Sequence, residues 1–271
     1  MNILPFVSRL TRFLNFKGME RLLTLFYGPD KRTGNFFKTI MDYEGGRIQI
    51  NTSSYLEWVT YFKGHYEPQV TKFIKSIIAP DSVSIDAGAN IGLHAIEMSK
   101  GKKVYTFEPN PLICKRLKEN LALSKITNVE VMEIGLSNTT GALDFHIPLK
   151  ENPNQGLGSL YESHVGASSE KIQVKIDTID NLFPNLEKLN LIKIDVEGHD
   201  FNVILGASKT IERLRPVVIF EFCKEWGSAN HAFSEARDFF FSKNYTLSVL
   251  DGKPCGRKEI KEFTEIVASP N

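Results

Sequence analysis

Five short apolar runs, mostly separated by stretches with helical spacing, limit the fold of this chain more than any other feature of its sequence. Each run has the length of a strand and ends in polar or small residues; the runs are 83–86, 103–109, 129–137, 191–198 and 216–222. Strands that alternate with helices are joined by right-handed crossovers and form a parallel sheet covered on both faces. The sequence therefore predicts an α/β fold on a mostly parallel sheet, with helices on both faces.

The segments outside these five runs are predicted to form an N-terminal extension, an insertion and a C-terminal part. Residues 1–65 are rich in Phe, Tyr and Gly without a clear period, which predicts an N-terminal extension or cap, and residues 66–271 are expected to form the main domain. The alternating segments ALDFHIP and KIQVKID predict a strand pair flanking a long loop, an insertion over about 141–177. After the last run we expect a helix over 234–242, a strand over 245–250 and an extended segment over 263–268.

Composition excludes several classes of partner. The 33 Lys and Arg residues balance 32 Asp and Glu residues, so the formal net charge of +1 gives no electrostatic footprint for nucleic acid. No apolar run has the length needed to span a bilayer. Helical spacing of apolar residues from Ile3 to Leu14 predicts a helix packed on the domain, with weak contact to a membrane surface as the alternative. Three separated cysteines show no disulfide or zinc pattern, which favours a reducing, cytoplasmic location.

A glycine-rich turn follows the first run, with the sequence DAGANIG over residues 86–92. Gly88 and Gly92 allow a tight turn and the close approach of a ligand, and Asn90 lies between them. Asp86 is expected at the carboxyl end of its strand, where open α/β sheets bind ligands, and its carboxylate can take the ammonium group of an amino-acid ligand. The alternative is that the glycines serve only the turn between strand and helix.

A second acid, Glu108, is expected at the carboxyl end of the next strand. Glu108 comes 22 residues after Asp86, where an acid accepts hydrogen bonds from ribose hydroxyls. The turn lacks the G-x-G-x-x-G pattern that cradles a pyrophosphate, and Asp86 would repel one. The two acids therefore favour S-adenosylmethionine over NAD as the cofactor, with a nicotinamide-dependent oxidoreductase as the alternative.

Groups able to accept a proton lie at the ends of the fourth and fifth runs and directly after the fourth. Asp195 and Glu197 share one face if their strand persists, and the Gly198 turn could bring His199 to the same crevice. Glu221 ends the next run and could add a carboxylate. These four are the candidate catalytic residues, with Asp195 preferred as the base.

Each of these groups also has a structural interpretation. Lys193 could be solvated or could pair with Asp195, Glu197 could only fix the turn, and His199 could cap the following helix. The carboxylates could hold a divalent cation such as Mg²⁺, but no spacing demands one, so we predict no metal site. Tyr66 and Glu67 could line the pocket. Alternatively, they could simply begin a helix, where the negative charge of Glu67 would interact favourably with the helix dipole.

Three segments together carry a resemblance to a known family. DAGANIG (86–92), FEP (107–109) and IKIDVEG (192–198) resemble the FkbM family of S-adenosylmethionine-dependent methyltransferases, and the similarity extends from about Gly64 to Glu221. The resemblance implies a Rossmann-like class I methyltransferase sheet. It also implies O-methylation of a hydroxyl on a sugar, glycan or natural product. A non-catalytic module that binds S-adenosylmethionine is a further alternative.

The resemblance also assigns residues to the two ligands. It places the cofactor at Asp86, Gly88, Asn90, Gly92 and Glu108, and the adenine beside Gly135, Leu136 and Ser137. The loop from Asn152 to Ser159 resembles the variable acceptor region of the family. The candidate substrate residues are Asn154, Gly158 and Ser159 from this loop, together with Tyr66, which could line the pocket from the N-terminal side.

Overall fold

The computed structural model describes residues 7–8, 10–12, 21, 23–24, 37–148, 158–159, 169–223, 229–255 and 263–271. The strands are β1 (Lys38–Tyr43), β2 (Gly46–Asn51), β3 (Val83–Ala87), β4 (Lys103–Phe107), β5 (Val129–Met132), β6 (Gly135–Leu136), β7 (Gly141–Pro148), β8 (Ser169–Asp177), β9 (Leu191–Ile194), β10 (Val217–Cys223), β11 (Tyr245–Val249) and β12 (Phe263–Pro270). The helices are α1 (Tyr55–Lys63), α2 (Pro68–Ile77), α3 (Leu93–Met98), α4 (Pro111–Leu123), α5 (Ile179–Leu182), α6 (Asp200–Gly206), α7 (Ser208–Leu214) and α8 (Ala229–Ser242).

The main sheet confirms the predicted α/β architecture. In the described part of the chain it has seven strands in the order β11-β12-β10-β9-β3-β4-β5. All neighbours are parallel except β12, which runs antiparallel to β10 and β11. The chain moves outward from β3 through β4 and β5, then returns to place β9 on the other side of β3. Ligands bind in the crevice at the carboxyl ends of strands where the order reverses in this way.

Helices cover both faces of this sheet. On one face, Val104, Leu191 and Ile219 pack with Val70 and Ile74 of α2. On the other face, a larger cluster joins the strands to α6, α7 and α8; it includes Ile192, Val218, Ile266, Val203, Ile204, Ile211 and Phe240. Neighbouring residues of a strand point to opposite faces of the sheet. Because helices cover both faces, β9 is buried at every position. The continuous apolar runs reflect this two-sided burial.

The residues that precede β3, the first strand of the main sheet in chain order, share a core with the main fold. The antiparallel hairpin β1–β2 and helix α1 contribute Ile48, Ile50 and Trp58 to a cluster that also contains Ile91 and Leu117. Near the N-terminus, Thr11 Oγ1 and Arg12 donate hydrogen bonds to the backbone carbonyls of Phe62 and Tyr61. The division into an extension over 1–65 and a domain over 66–271 stays a prediction.

The third apolar run does not form one strand over 129–137, and that prediction was wrong. Strand β5 ends at Met132, and β6 pairs with β8 in a separate sheet of order β6-β8-β7. The apolar pattern misleads because Leu136 is buried in the main core while its backbone pairs with Asp177. The predicted strand pair is confirmed as β7 and β8, which are antiparallel.

The fourth run also ends earlier than predicted. Strand β9 stops at Ile194, and positive φ angles of 54° at Glu197 and 90° at Gly198 turn the chain toward α6. The prediction that Asp195 and Glu197 share a strand face required the strand to persist, and that condition is not met, because extended geometry does not reach Glu197. The C-terminal helix begins at Ala229 rather than Ser234.

Candidate active site

Acidic residues from four neighbouring strands meet at the carboxyl-end edge of the main sheet. Asp86 lies in β3, Glu108 and Asp195 directly follow β4 and β9, and Glu221 lies in β10. The strand order places β3 between β4 and β9, and β10 beside β9. The structure thus brings together four side chains that lie up to 135 residues apart in the chain.

Asp86 is the most deeply buried of these acids, with 1% of its surface exposed. Neither carboxylate oxygen has a hydrogen-bond partner within the described residues, and the nearest cation is Lys193, with Nζ 3.8 Å from Oδ1. Burial raises the pKa of Asp86 to about 6, although the Lys193 charge opposes the rise. A buried carboxylate without donors is unfavourable, so this site fits a ligand that supplies an ammonium group.

The glycine-rich turn after β3 packs closely against the residue after β9 and against α4. Gly88 has φ of 78°, and a Cβ there would lie 1.9 Å from the carbonyl oxygen of Asp195. Gly92 has φ of 93°, and a Cβ there would lie 2.5 Å from Leu117 Cδ1. Both glycines are therefore needed for the turn and its packing. That they also admit a ligand stays a prediction, as does the cofactor role of Asn90, which has φ of 50°.

Glu108 is fixed beside this turn by the backbone. Its Oε1 accepts a hydrogen bond from the N–H of Asn110 at 2.9 Å, and its Oε2 accepts one from the N–H of Asn90 at 3.0 Å. Burial raises the pKa of Glu108 to about 7 despite these bonds. Each carboxylate oxygen can accept more than one hydrogen bond, so Glu108 retains capacity for ribose hydroxyls.

Lys193 is a site residue for which the sequence left two interpretations open. Its side chain is 5% exposed, and Nζ donates to Asp195 Oδ2 at 3.0 Å, so the ion pair is confirmed. Although burial acts in the opposite direction, the charges of Asp195, Asp86 and Glu67 raise the pKa of Lys193 above its usual range. The lysine therefore stays protonated.

Three further acids surround Asp195. Burial, followed by the charge of Asp195, raises the pKa of Glu67, Glu197 and Glu221 well above their usual range. The structure thus places Glu67 among the site acids and also at the N-cap of α2. Carboxyl groups with raised pKa values are partly protonated near neutral pH and can donate hydrogen bonds.

Asp200 belongs to the same group, and the sequence analysis missed it. It is 4% exposed; Oδ1 accepts from the backbone N–H of Glu221, and Oδ2 has no partner in the described part of the chain. Burial raises its pKa to about 7. An acid in the first turn of a helix is ordinarily a helix-dipole residue. Only the packing of α6 against β10 reveals its burial.

His199 lies between two polar side chains instead of facing open solvent. Its Nε2 is 2.9 Å from Ser137 Oγ, and its Nδ1 is 3.1 Å from Asn202 Nδ2. Burial lowers its pKa to about 4. It occupies the N-cap position of α6 but makes no side-chain cap bond. The structure therefore links the turn after β9 to Ser137, one of the residues expected at the adenine.

The predicted substrate residues are only partly covered by the structure. Ser159 Oγ donates to the Glu197 carbonyl at 3.4 Å, which brings this residue to the turn after β9. Tyr66 packs beside His94, with ring centroids 5.9 Å apart, and burial with the charge of Glu67 raises its pKa well above the usual range. Gly158 lies against the Phe145 ring. Asn154 lies outside the described residues, and Gly135 and Leu136 pair with β8.

Two further observations concern metals and membranes. Within the residues that the structure describes, no three His, Cys, Asp or Glu side chains are grouped so that they could hold a metal ion. In the same part of the chain, no helix combines the length and the apolar character needed to cross a bilayer.

The family model that matches this chain and two of its relatives are described as methyltransferases. Residues 86–247, more than half of the chain, match the model described as the methyltransferase FkbM domain. Hexuronic acid methyltransferase AglP of Haloferax volcanii is 30% identical over 155 residues, which are 56% of this chain and 61% of that protein. 2-O-methyltransferase NoeI of Sinorhizobium fredii is 26% identical over 157 residues, 50% of this chain and 61% of that protein. The aligned region thus spans about three fifths of each relative.

Solved structures are also similar to this chain, and the similarity is one of fold alone. Among them, SMU.1697c of Streptococcus mutans, determined in complex with SAH, has a TM-score of 0.47 and 14% sequence identity; the match covers 74% of this chain and 96% of that chain.

Proposed function

Because this chain belongs to the FkbM family of methyltransferases, we propose that it moves a methyl group from S-adenosylmethionine to a hydroxyl oxygen of a sugar, glycan or natural product. The observation that carries the donor assignment is the pair of acids at Asp86 and Glu108. Asp86 is buried, and its oxygens have no hydrogen-bond partner in the described part of the chain, which suits an ammonium group. Glu108 is fixed at the next strand, which suits ribose hydroxyls.

The names of two relatives support the acceptor class. NoeI is named a 2-O-methyltransferase and AglP a hexuronic acid methyltransferase, so both names are consistent with oxygen acceptors, and the AglP name points to a sugar derivative. The acids around Asp195 support the same class, because carboxyl groups with raised pKa values can both donate to and accept from sugar hydroxyls. Ser159 and Tyr66 lie beside these acids and are proposed to contact the acceptor.

In the proposed mechanism, this chain holds the acceptor and removes its proton. When bound, S-adenosylmethionine would supply a methyl group activated by its sulfonium, and the sulfur would leave as the thioether of S-adenosylhomocysteine in an in-line displacement at the methyl carbon. Asp195 accepts the hydroxyl proton as the oxygen–carbon bond forms. Lys193 is protonated and cannot serve as this base, but it orients Asp195 through the 3.0 Å contact. Glu197 and Glu221 bind acceptor hydroxyls, and His199 positions the turn through Ser137.

Replacing the base tests this mechanism. We expect Asp195→Asn to lower turnover by about 10²- to 10⁴-fold, because general base catalysis contributes about that much. The affinity for S-adenosylhomocysteine should change less than about threefold, since Asp195 is not a donor-binding group here. Transfer of a labelled methyl group to a panel of neutral sugars, amino sugars and uronic acids measures the first, and calorimetry measures the second.

Asp81→Asn is the matched control, because Asp81 is exposed and lies on a loop before β3. It should leave both quantities unchanged. Full turnover by Asp195→Asn would remove Asp195 from the mechanism. Binding of NADH without binding of S-adenosylmethionine would overturn the proposed function as a whole and favour the oxidoreductase alternative.

A further inference from the structure

One buried lysine lies between the acid proposed to hold the donor and the acid proposed as the base. Lys193 Nζ is 3.0 Å from Asp195 Oδ2 and 3.8 Å from Asp86 Oδ1. The first contact is a hydrogen-bonded ion pair, and the second is an ion pair at longer range. This arrangement suggests that one cation serves both proposed steps.

The sheet fixes this position. Lys193 and Asp86 are direct partners in the register of the parallel strands β9 and β3, so their side chains leave the same face of the sheet side by side. The exposed fractions of their side chains are 5% and 1%. Water therefore screens the pair little, and the interaction between the two charges is stronger than on a protein surface.

The charges around the pair are mostly negative. Asp195 acts to raise the pKa of Asp86, and Lys193 acts to lower it. The titratable groups that act electrostatically on Lys193 or Asp86 are Glu67, His94, Glu108, Asp195, Glu197 and Asp200. Without a cation at position 193, the buried carboxyl group of Asp86 would lie near the charge of Asp195 with no compensating cation, and it would take up a proton more readily.

Protonation of Asp86 would remove its proposed function, because a neutral Asp86 pairs poorly with an ammonium group. The charge of Lys193 acts against this protonation. The same lysine holds Asp195 in one orientation through its hydrogen bond.

We propose that Lys193 is a positioning residue that keeps Asp86 ionised for the ammonium group of the methyl donor and holds Asp195 oriented toward the acceptor. This inference rests on the proposed function. It assigns to Lys193 a role in donor binding that goes beyond the ion pair, and this role can be measured without knowing the acceptor.

The test is the pH dependence of S-adenosylhomocysteine affinity, measured by calorimetry between pH 5.5 and 8.5. In the unchanged protein, affinity should fall as the pH falls through about 6, where Asp86 becomes protonated. In Lys193→Met the fall should begin about 1–3 pH units higher, because an opposite charge within a few ångströms shifts a carboxyl pKa by that much. Affinity at pH 7 should then drop by about twofold for a shift of one unit and by about 100-fold for a shift of three, because only the ionised fraction of Asp86 binds the ammonium group.

A second ligand and a second variant separate this role from a general effect on folding. 5′-Methylthioadenosine lacks the amino-acid tail, so its affinity should be the same in both proteins. In Lys193→Met/Asp195→Asn one cation and one anion are removed together, and the pH dependence should move back toward that of the unchanged protein.

The outcomes distinguish the two proposals. If the unchanged protein binds S-adenosylhomocysteine and Lys193→Met shows the same pH dependence, the role of Lys193 is overturned while the proposed function stands. An equal loss of affinity for 5′-methylthioadenosine would also overturn it, because the effect would then be structural. If the unchanged protein binds neither ligand, the proposed function itself fails.

Discussion

Burial determines the chemistry of individual residues at this site more than their intrinsic acidity does. It raises the pKa of Asp86 to about 6 and of Asp200 to about 7, and it lowers the pKa of His199 to about 4. The acids are therefore less charged, and the histidine is more strongly neutral, than free side chains at the same pH. An imidazole with this pKa is a weak base at neutral pH.

His199 should therefore matter less for turnover than Asp195. We expect His199→Gln to lower turnover by about tenfold or less, because it removes one hydrogen bond to Ser137 and not the proton acceptor. The acidic limb of the pH–rate profile should stay in place, since His199 is already neutral above about pH 5. A loss as large as that of Asp195→Asn, or a displaced acidic limb, would make His199 the base.

Sequence alone indicated the residues whose positions follow from strand ends. Asp86, Glu108 and Asp195 each close a buried run, so their convergence follows from a parallel sheet. The contact between Lys193 and Asp86 was not predictable, because it depends on the register of strands that lie 107 residues apart in the chain. Asp200 was missed for a related reason, since only the packed helix shows that it is buried.

At the scale of elements, the ends of strands were harder to predict than their existence. The apolar pattern continues from Val129 to Ser137, but the chain leaves the sheet after Met132 and pairs with β8. A pattern of apolar residues records burial, and it does not record which neighbouring strand supplies the hydrogen bonds. The turn after β9 was missed because Glu197 adopts a positive φ angle, which is uncommon for residues other than glycine and could not be predicted from its residue type.

A buried ion pair joins α1 to α4 beside the apolar cluster that the two helices share. Both terminal nitrogens of Arg116 donate to the Glu57 carboxylate at 2.6 Å, and the Glu57 side chain is 3% exposed. We expect Arg116→Met to lower the free energy of unfolding by about 3 kcal/mol, because it leaves a buried carboxylate unpaired. Chemical denaturation measures this change.

Lys115→Met on the same helix is the matched control. The Lys115 side chain is 76% exposed and reaches Glu119 only at 4.0 Å, so the variant should change the free energy of unfolding by less than about 0.5 kcal/mol. Equal effects of the two variants would show that the Arg116 pair does not hold α1 in place.

For the whole molecule, the buried acids make stability depend on pH. Glu108 and Asp200 have pKa values raised to about 7, compared with about 4 in an unfolded chain. The native state therefore binds more protons between these values, and its stability decreases as the pH rises from about 4 through about 7. His65, His94 and His199 act in the opposite direction below about pH 6.5, because burial lowers their pKa values. The acids with raised pKa values outnumber these histidines, and of the two groups only the acids act above about pH 6.5.

The ligand-free protein should accordingly melt at a higher temperature at pH 5.5 than at pH 8. Each buried acid can contribute up to about 1.4 kcal/mol per pH unit within its window. Asp200→Asn should flatten the curve, because an amide resembles the protonated carboxyl group, whereas the exposed control Asp81→Asn should not. A melting temperature that rises steadily from pH 5.5 to pH 8 would contradict the assignment of these buried acids.

The central claim is that the strand ends of β3 and β4 hold the two ends of one methyl donor. A crystal structure of the protein with S-adenosylhomocysteine tests this claim most directly. The account predicts the amino group of the ligand at Asp86, its ribose hydroxyls at Glu108 and its sulfur facing Asp195. A ligand bound elsewhere on the molecule, or one with its amino group directed away from Asp86, would contradict it.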